Sequence, residues 1–107
     1  MNIQYKKGAL ELIVLLIIKN EPQYGYSLVQ SIGRHMTIAE GTVYPLLRRL
    51  VKDDVLQTYY QPSSEGPQRK YYDLTEKGRE RLEARLVEWE SFIEIVDIFI
   101  KEANANE

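Results

Sequence analysis

The stretch Glu40 to Asp53, EGTVYPLLRRLVKD, leaves this chain the fewest options. Val43, Leu46, Leu47 and Leu50 recur at helical spacing and fall on one face, with Val51 at its edge. The other side carries Gly41, Pro45, Arg48, Arg49 and Lys52, three cations and two compact residues that let a backbone approach something large and negative. Such a face is either an ordinary solvated surface or a recognition helix. The neighbouring segments decide between the two.

Upstream, Gly8 to Lys19, GALELIVLLIIK, is apolar on nearly every side from Leu12 onward. Periodicity fits a buried strand as well as a buried helix, and the β-branched residues lean toward strand; the length of the unit, closed by Lys19 and Asn20, favours a helix covered on both faces. A small domain has few partners for such a helix, which points to a subunit interface. Pro22 disfavours helix at Glu21, and Tyr24 to Arg34, YGYSLVQSIGR, then reads as a second helix with Leu28, Val29 and Ile32 inward and Gly33 as an early stop. Two short helices joined by His35 to Ala39, the later one carrying cations outward, make a helix-turn-helix.

Downstream, Val55 to Gln61 and Arg69 to Leu74 are rich in β-branched and aromatic residues and flank the turn chemistry of PSSEGPQ, Pro62 to Gln68. That is a β-hairpin in the position of a wing. Thr75 is placed to cap a last helix running to about Lys101, with Gly78 a tolerated weakness and Ala103 to Glu107 expected to fray. Along it Leu82, Leu86, Trp89, Ile93, Val96 and Ile100 recur at alternating spacings of four and three, the seam of a coiled-coil-like contact. Phe92, Ile95 and Phe99 widen that stripe, and a second copy of the chain is its simplest partner. The predicted fold is mainly α with a small β-hairpin: a winged helix-turn-helix over residues 1–75 and a long C-terminal dimerisation helix over 76–107.

Composition excludes several classes of function. A net charge of -2 argues, by itself, against binding nucleic acid. Residues 1–75, however, hold nine Lys and Arg against seven Asp and Glu, whereas 76–107 hold five against nine, so the acidity belongs to the tail. The absence of cysteine removes disulfides, thiol catalysis and thiolate metal sites, and fits a reducing cytosol. His35 is the only histidine, no serine sits in a nucleophile motif and no glycine-rich phosphate loop is present, so neither an enzyme nor a metal or cofactor site is expected. The apolar run Leu12 to Ile18 is too short to span a bilayer and no small-residue cleavage pattern follows it, which makes a cytoplasmic protein the expectation.

The segments KGALELIVLLII, YGYSLVQ, EGTVYPLLRRL and GPQRKYYDLTEKGR, in that order, resemble the PadR family of winged-helix transcriptional regulators in its short form with one C-terminal helix. The resemblance implies a homodimeric DNA-binding repressor that answers to a small aromatic compound or a drug. Two positions depart from the family's pattern. Ala39 stands where a capping Ser or Asn is usual, leaving Thr37 to stand in, and Asp53-Asp54 replaces a common Asp-Gly, putting a carboxylate at a position that is often left-handed.

On this reading the N-terminal half of the third helix enters the major groove, with Gly41 and Thr42 leading and the hydroxyl of Tyr44 reaching a phosphate from the flank. Pro45 has no amide hydrogen for the Gly41 carbonyl, which predicts a kink or a late helix start. Arg48 reaches a guanine edge or a phosphate, and Arg49 and Lys52 point to phosphates. In the wing, alternation puts Arg69 and Lys70 on opposite faces, so only one can face DNA; Lys70 is chosen from the family's basic position after the turn. Tyr24 is the expected phosphate contact of the second helix, with Tyr26 packing inward. Trp89 fits two roles, core of the paired stripe or a flat wall for a planar ligand between subunits beside Leu12, Ile13, Leu16, Phe92 and Ile93. The partners expected are a roughly palindromic double-stranded operator with recognition helices ~34 Å apart, a second copy of the chain, and a planar aromatic small molecule. The rival is a dimeric winged-helix adaptor whose acidic tails face a basic protein and which has no specific DNA site.

Overall fold

The computed structural model describes residues 3–105, with side chains described for residues 9–105. The apolar first segment is helical: α1 spans Ile3–Asn20, starting before the expected Gly8. Leu10, Leu12, Val14, Leu15 and Ile18 are buried, while Ile13, Leu16 and Ile17 are only partly covered. Within one chain α2, β3 and α4 pack on this helix and leave its other side only partly covered.

Pro22 does more than end α1. It starts an extended pair, β1 (Gln23–Tyr24), which sets Gln23 opposite Tyr72 and Tyr24 opposite Tyr71. The expected hairpin is thus part of a three-stranded antiparallel sheet ordered β1-β3-β2, with β2 at Leu56–Ser63 and β3 at Gly66–Leu74. The second helix, α2 (Gly25–Gly33), loses its expected first residue to β1. Ser27 closes the corner, its hydroxyl lying 2.8 Å from Gln23 Oε1 and 2.9 Å from the Tyr24 carbonyl as donor. Gln23 itself is buried, and its amide donates to the Glu21 carbonyl at 3.3 Å.

Helix α3 runs unbroken over Glu40–Lys52 with Pro45 inside it, so no late start occurs. The carbonyl that Pro45 leaves without its helical donor belongs to Gly41, and both residues are exposed, so water can satisfy it. Ala39 gives no side-chain cap; its carbonyl instead accepts the Thr42 amide at 3.0 Å. At the other end the Asp54 amide donates to Val51 and the Val55 amide to Leu50, the paired bonds of a Schellman motif. Asp54 occupies its left-handed position at φ 61, as the missing glycine implied.

Thr75 caps α4 (Glu76–Ala105) by accepting the Gly78 amide at 2.9 Å, and its hydroxyl lies 2.6 Å from the Asp54 carbonyl. A Cβ at Gly78 would collide with the Val55 carbonyl and come within 3.3 Å of Leu74 Cδ2. Gly78 is thus a close-approach residue rather than a tolerated weakness. Leu82 is 1% exposed in the core, Leu86 and Trp89 pack against that core, and every described residue after Trp89 is exposed. The helix persists to Ala105 where fraying from Ala103 was expected; residues 106–107 of that expectation lie outside the described residues.

Gly78→Ala separates these two readings. Helix propensity alone favours alanine by roughly 0.8–1 kcal/mol, whereas overpacking against a backbone carbonyl costs about 1–3 kcal/mol. A lower midpoint in thermal or urea unfolding is expected, and an unchanged or higher one would show that the close approach is relaxed without cost.

Candidate nucleic-acid interface

Because a helix repeats every 3.6 residues, burying Val43, Leu46, Leu47 and Leu50 turns Gly41, Pro45, Arg48 and Lys52 to the outside, and all four are exposed. Thr42 and Tyr44 are half-buried flanks of this face. Tyr44 lies over the start of α2, where a Cβ at Gly25 would sit 2.9 Å from its Cζ and its hydroxyl oxygen. Gly25 leaves the space into which that ring packs.

Tyr72 of β3 is buried on the sheet face turned toward α3. Burial raises its phenol above the ordinary tyrosine value; the neighbouring Tyr44 and Tyr60 act in the same direction, and the Arg48 guanidinium opposes them. Lys70 shares this face, its Nζ 5.8 Å from the centre of the Tyr72 ring. Arg48 and Lys70 therefore lie on the same side of the molecule, one on the helix and one on the wing. Arg69 is on the opposite face, its guanidinium 4.6 Å from the Tyr24 ring centre. Tyr24 is also 5.4 Å from Tyr71, which stacks on Tyr59 at 5.7 Å. The expected assignment of Tyr26 as the inward partner is reversed: Tyr26 is 54% exposed, and Tyr24 is the half-buried one. The short β1 pairing explains this, because it lays Tyr24 against Tyr71.

Arg49, adjacent to Arg48 in sequence, turns toward α1. Its Nη2 lies 3.7 Å from Glu11 Oε1. The same carboxylate meets Arg81 Nη1 at 3.6 Å and accepts a hydrogen bond from Arg85 Nε at 2.8 Å, and Arg81 lies 3.9 Å from Asp53. Arg81 and Arg85 both cross from α4 to α1, and Arg85 also pairs along its own helix with Glu88 at 3.7 Å. Glu11 was missed. The available signal was an acid inside an apolar run, since a half-buried carboxylate calls for a partner.

The structure divides the expected effector residues. Leu12, Trp89 and Phe92 line a cavity of about 460 Å³ together with Glu11, Arg49, Arg85 and Glu88. Ile13 and Leu16 line a separate hollow toward the end of α2, beside Ile17, His35 and Met36. Ile93 borders neither and is 51% exposed. Adjacent residues of a helix point in different directions, which is why Leu12 and Ile13 part company. The dimerisation residues divide as well. Leu82 is core of the single chain, and Leu86 and Trp89 are half-buried against it; Ile93, Val96 and Ile100 are exposed, as are Phe92, Ile95 and Phe99. Among the described residues no group of His, Cys, Asp or Glu could hold a metal ion, and no helix is long and apolar enough to cross a membrane.

Comparison with known proteins bears on this geometry. Residues 14–84 match the profile of the transcriptional regulator PadR-like family. An uncharacterized protein of Lysinibacillus sphaericus is 35% identical over 99 residues, 89% of this chain and 91% of its own length. The crystal structure of a PadR-like transcriptional regulator from Bacillus cereus superposes with a TM-score of 0.84 at 38% identity, covering 91% of this chain and 96% of that one. Bacillus subtilis PadR, solved in complex with operator DNA, superposes with a TM-score of 0.66 over 74% of this chain and 46% of its own; at 19% identity that likeness speaks for the fold alone.

Tyr72 gives the site a pH signature. Its folded pKa lies above the unfolded value of 10.0, so its contribution to stability is full below that pH and is lost as pH rises through the folded value. As pH rises above 10.0, the urea midpoint of the wild-type chain should fall more steeply than that of Tyr72→Phe. Parallel curves would mean that the phenol is not held in a dry site.

Proposed function

The chain belongs to the PadR-like family of transcriptional regulators, and from that premise we propose that it is a homodimeric repressor. Its members regulate transcription and are not enzymes. In this reading the exposed face of α3 sits in the major groove of a roughly palindromic operator, in the cytoplasm, and leaves it when a planar aromatic molecule binds. The observation that carries the reading is the common orientation of Arg48 and Lys52 on α3 and Lys70 on the wing, around a strip where Gly41 and Pro45 keep the surface low. Arg48 is the candidate for a base edge. Lys52 and Lys70 are candidates for phosphates, with Thr42 and Tyr44 on the flanks, whereas Tyr24 packs against Tyr71 on the opposite face of the sheet. Bacillus subtilis PadR, which shares this fold, was solved in complex with operator DNA.

The homodimer rests on the exposed apolar stretch of α4 beyond Trp89, a surface that a soluble helix does not keep bare. The division of labour is best drawn there and not at residue 75, because Leu82 and Leu86 serve the DNA-reading domain's own core. The cavity between Leu12, Trp89 and Phe92 is the candidate effector site, with Trp89 as its aromatic wall.

Two measurements test this. On a fragment of its own upstream region, Arg48→Ala should weaken binding roughly ten- to hundredfold, the effect of losing a good bidentate base contact. It should also flatten the dependence of log affinity on log salt by about 0.9 if a phosphate is lost. Equal affinity of the wild-type chain for that fragment and for random DNA would favour the adaptor reading. For the effector, Trp89 emission should quench saturably with at least one member of a panel of planar phenolic and cationic compounds. Emission unchanged across the panel removes the ligand from the proposal.

A further inference from the structure

We propose that Glu11 is a positioning residue that withholds Arg49 from DNA, so that the charge α3 presents depends on how α4 is seated. The inference rests on the DNA-binding reading above. Arg48 and Arg49 are equivalent in sequence but not in space: Arg48 faces the sheet and wing side, whereas Arg49 lies 3.7 Å from a carboxylate on α1. That carboxylate has a side-chain exposure of only 16%, so its charge is weakly screened and requires cations around it. Three guanidinium groups answer, one from α3 and two from α4. Arg85 holds it best, by a hydrogen bond of 2.8 Å, and Arg81 is shared with Asp53 at the end of α3.

Arg49 is the loosest of the three, with the longest separation and a side-chain exposure of 60%. A phosphate approaching α3 therefore competes with Glu11 for Arg49, and the outcome depends on how well α4 satisfies Glu11 without it. With Arg85 on Glu11, as in this structure, the hold on Arg49 is at its loosest; when α4 shifts and takes Arg85 away, Glu11 tightens on Arg49. Arg85 and Trp89 line the same cavity as Arg49, so a molecule lodged there acts on both ends of this link. The pairing is at the surface, where ion pairs are weak, so its effect on affinity is a modulation and not a switch.

The test is DNA affinity as a function of salt, using the full chain and the same upstream fragment. Glu11→Gln should raise affinity a few-fold at low salt and steepen the salt dependence by up to about 0.9. The gain should vanish in Glu11→Gln/Arg49→Ala. Glu83→Gln, which removes the same charge from α4 next to Lys19 and away from Arg49, should give a smaller gain that survives Arg49→Ala. Should Glu11→Gln fail to fold, Arg49→Ala alone decides: the inference requires it to flatten the salt dependence clearly less than Lys52→Ala does. Equal flattening, or a Glu11→Gln gain that persists without Arg49, overturns the inference alone. A wild-type chain with no salt-dependent binding overturns the DNA reading and the inference with it.

Discussion

The backbone of Val55 is the joint on which this structure depends. Its amide closes the end of α3 on Leu50, its carbonyl accepts the Thr75 amide at 3.1 Å, and the helix that Thr75 caps must pass so close to that carbonyl that only Gly78 fits. One residue thus ties the end of the candidate recognition helix to the start of β2, the end of β3 and the start of α4. Its side chain is fully buried, so the joint cannot shift without opening the core. Asp54 accepts a left-handed backbone to make the turn possible, a conformation that costs an L-residue of order 1 kcal/mol and is offset by the paired hydrogen bonds around it.

Held by that joint, α3 is braced on two sides by different physics. Toward the sheet the contact is aromatic and dry: Tyr44 fills the space left by Gly25, and Tyr72 lies buried beside it. Toward α1 and α4 the contact is ionic, through Glu11 and the arginines. The dry side orients the helix, because packed rings have few alternative arrangements. The ionic side is the adjustable one, because its partners are long, partly exposed and more numerous than the single carboxylate they share. A transcriptional regulator needs both properties, a recognition surface held in register and a connection through which the position of α4 can be felt.

Much of the fold was legible in the chain because its periodic segments are long. The apolar recurrence in α3, the β-branched and aromatic runs on either side of PSSEGPQ, and the cap at Thr75 all correspond to the elements found. What escaped notice was non-local. Two-residue β1 has no periodicity to detect and exists only because β3 passes beside it. Gly25 and Gly78 look like defects in helices until the ring and the carbonyl that approach them are known. The seam of α4 reads as continuous along the sequence, yet its first residue, Leu82, is consumed by the chain's own core. Within one chain, Leu12 borders one hollow and Ile13 and Leu16 another, a division that only the packing of α2 and α4 against α1 creates.

The amino-acid sequence by itself determined which side of each helix is apolar, where the chain must turn, and that cations collect on one face of α3. These follow from local geometry, since a fixed rise and rotation per residue convert spacing directly into facing. Only the tertiary structure decided which of those cations is left to face outward. Helix geometry points the adjacent Arg48 and Arg49 in different directions, and what meets Arg49 there is a carboxylate that lies far away along the chain and is brought to it by the packing of α1 and α4. Electrostatic pairing acts over a few ångströms of space and is indifferent to sequence distance, so no pattern confined to α3 could reveal it.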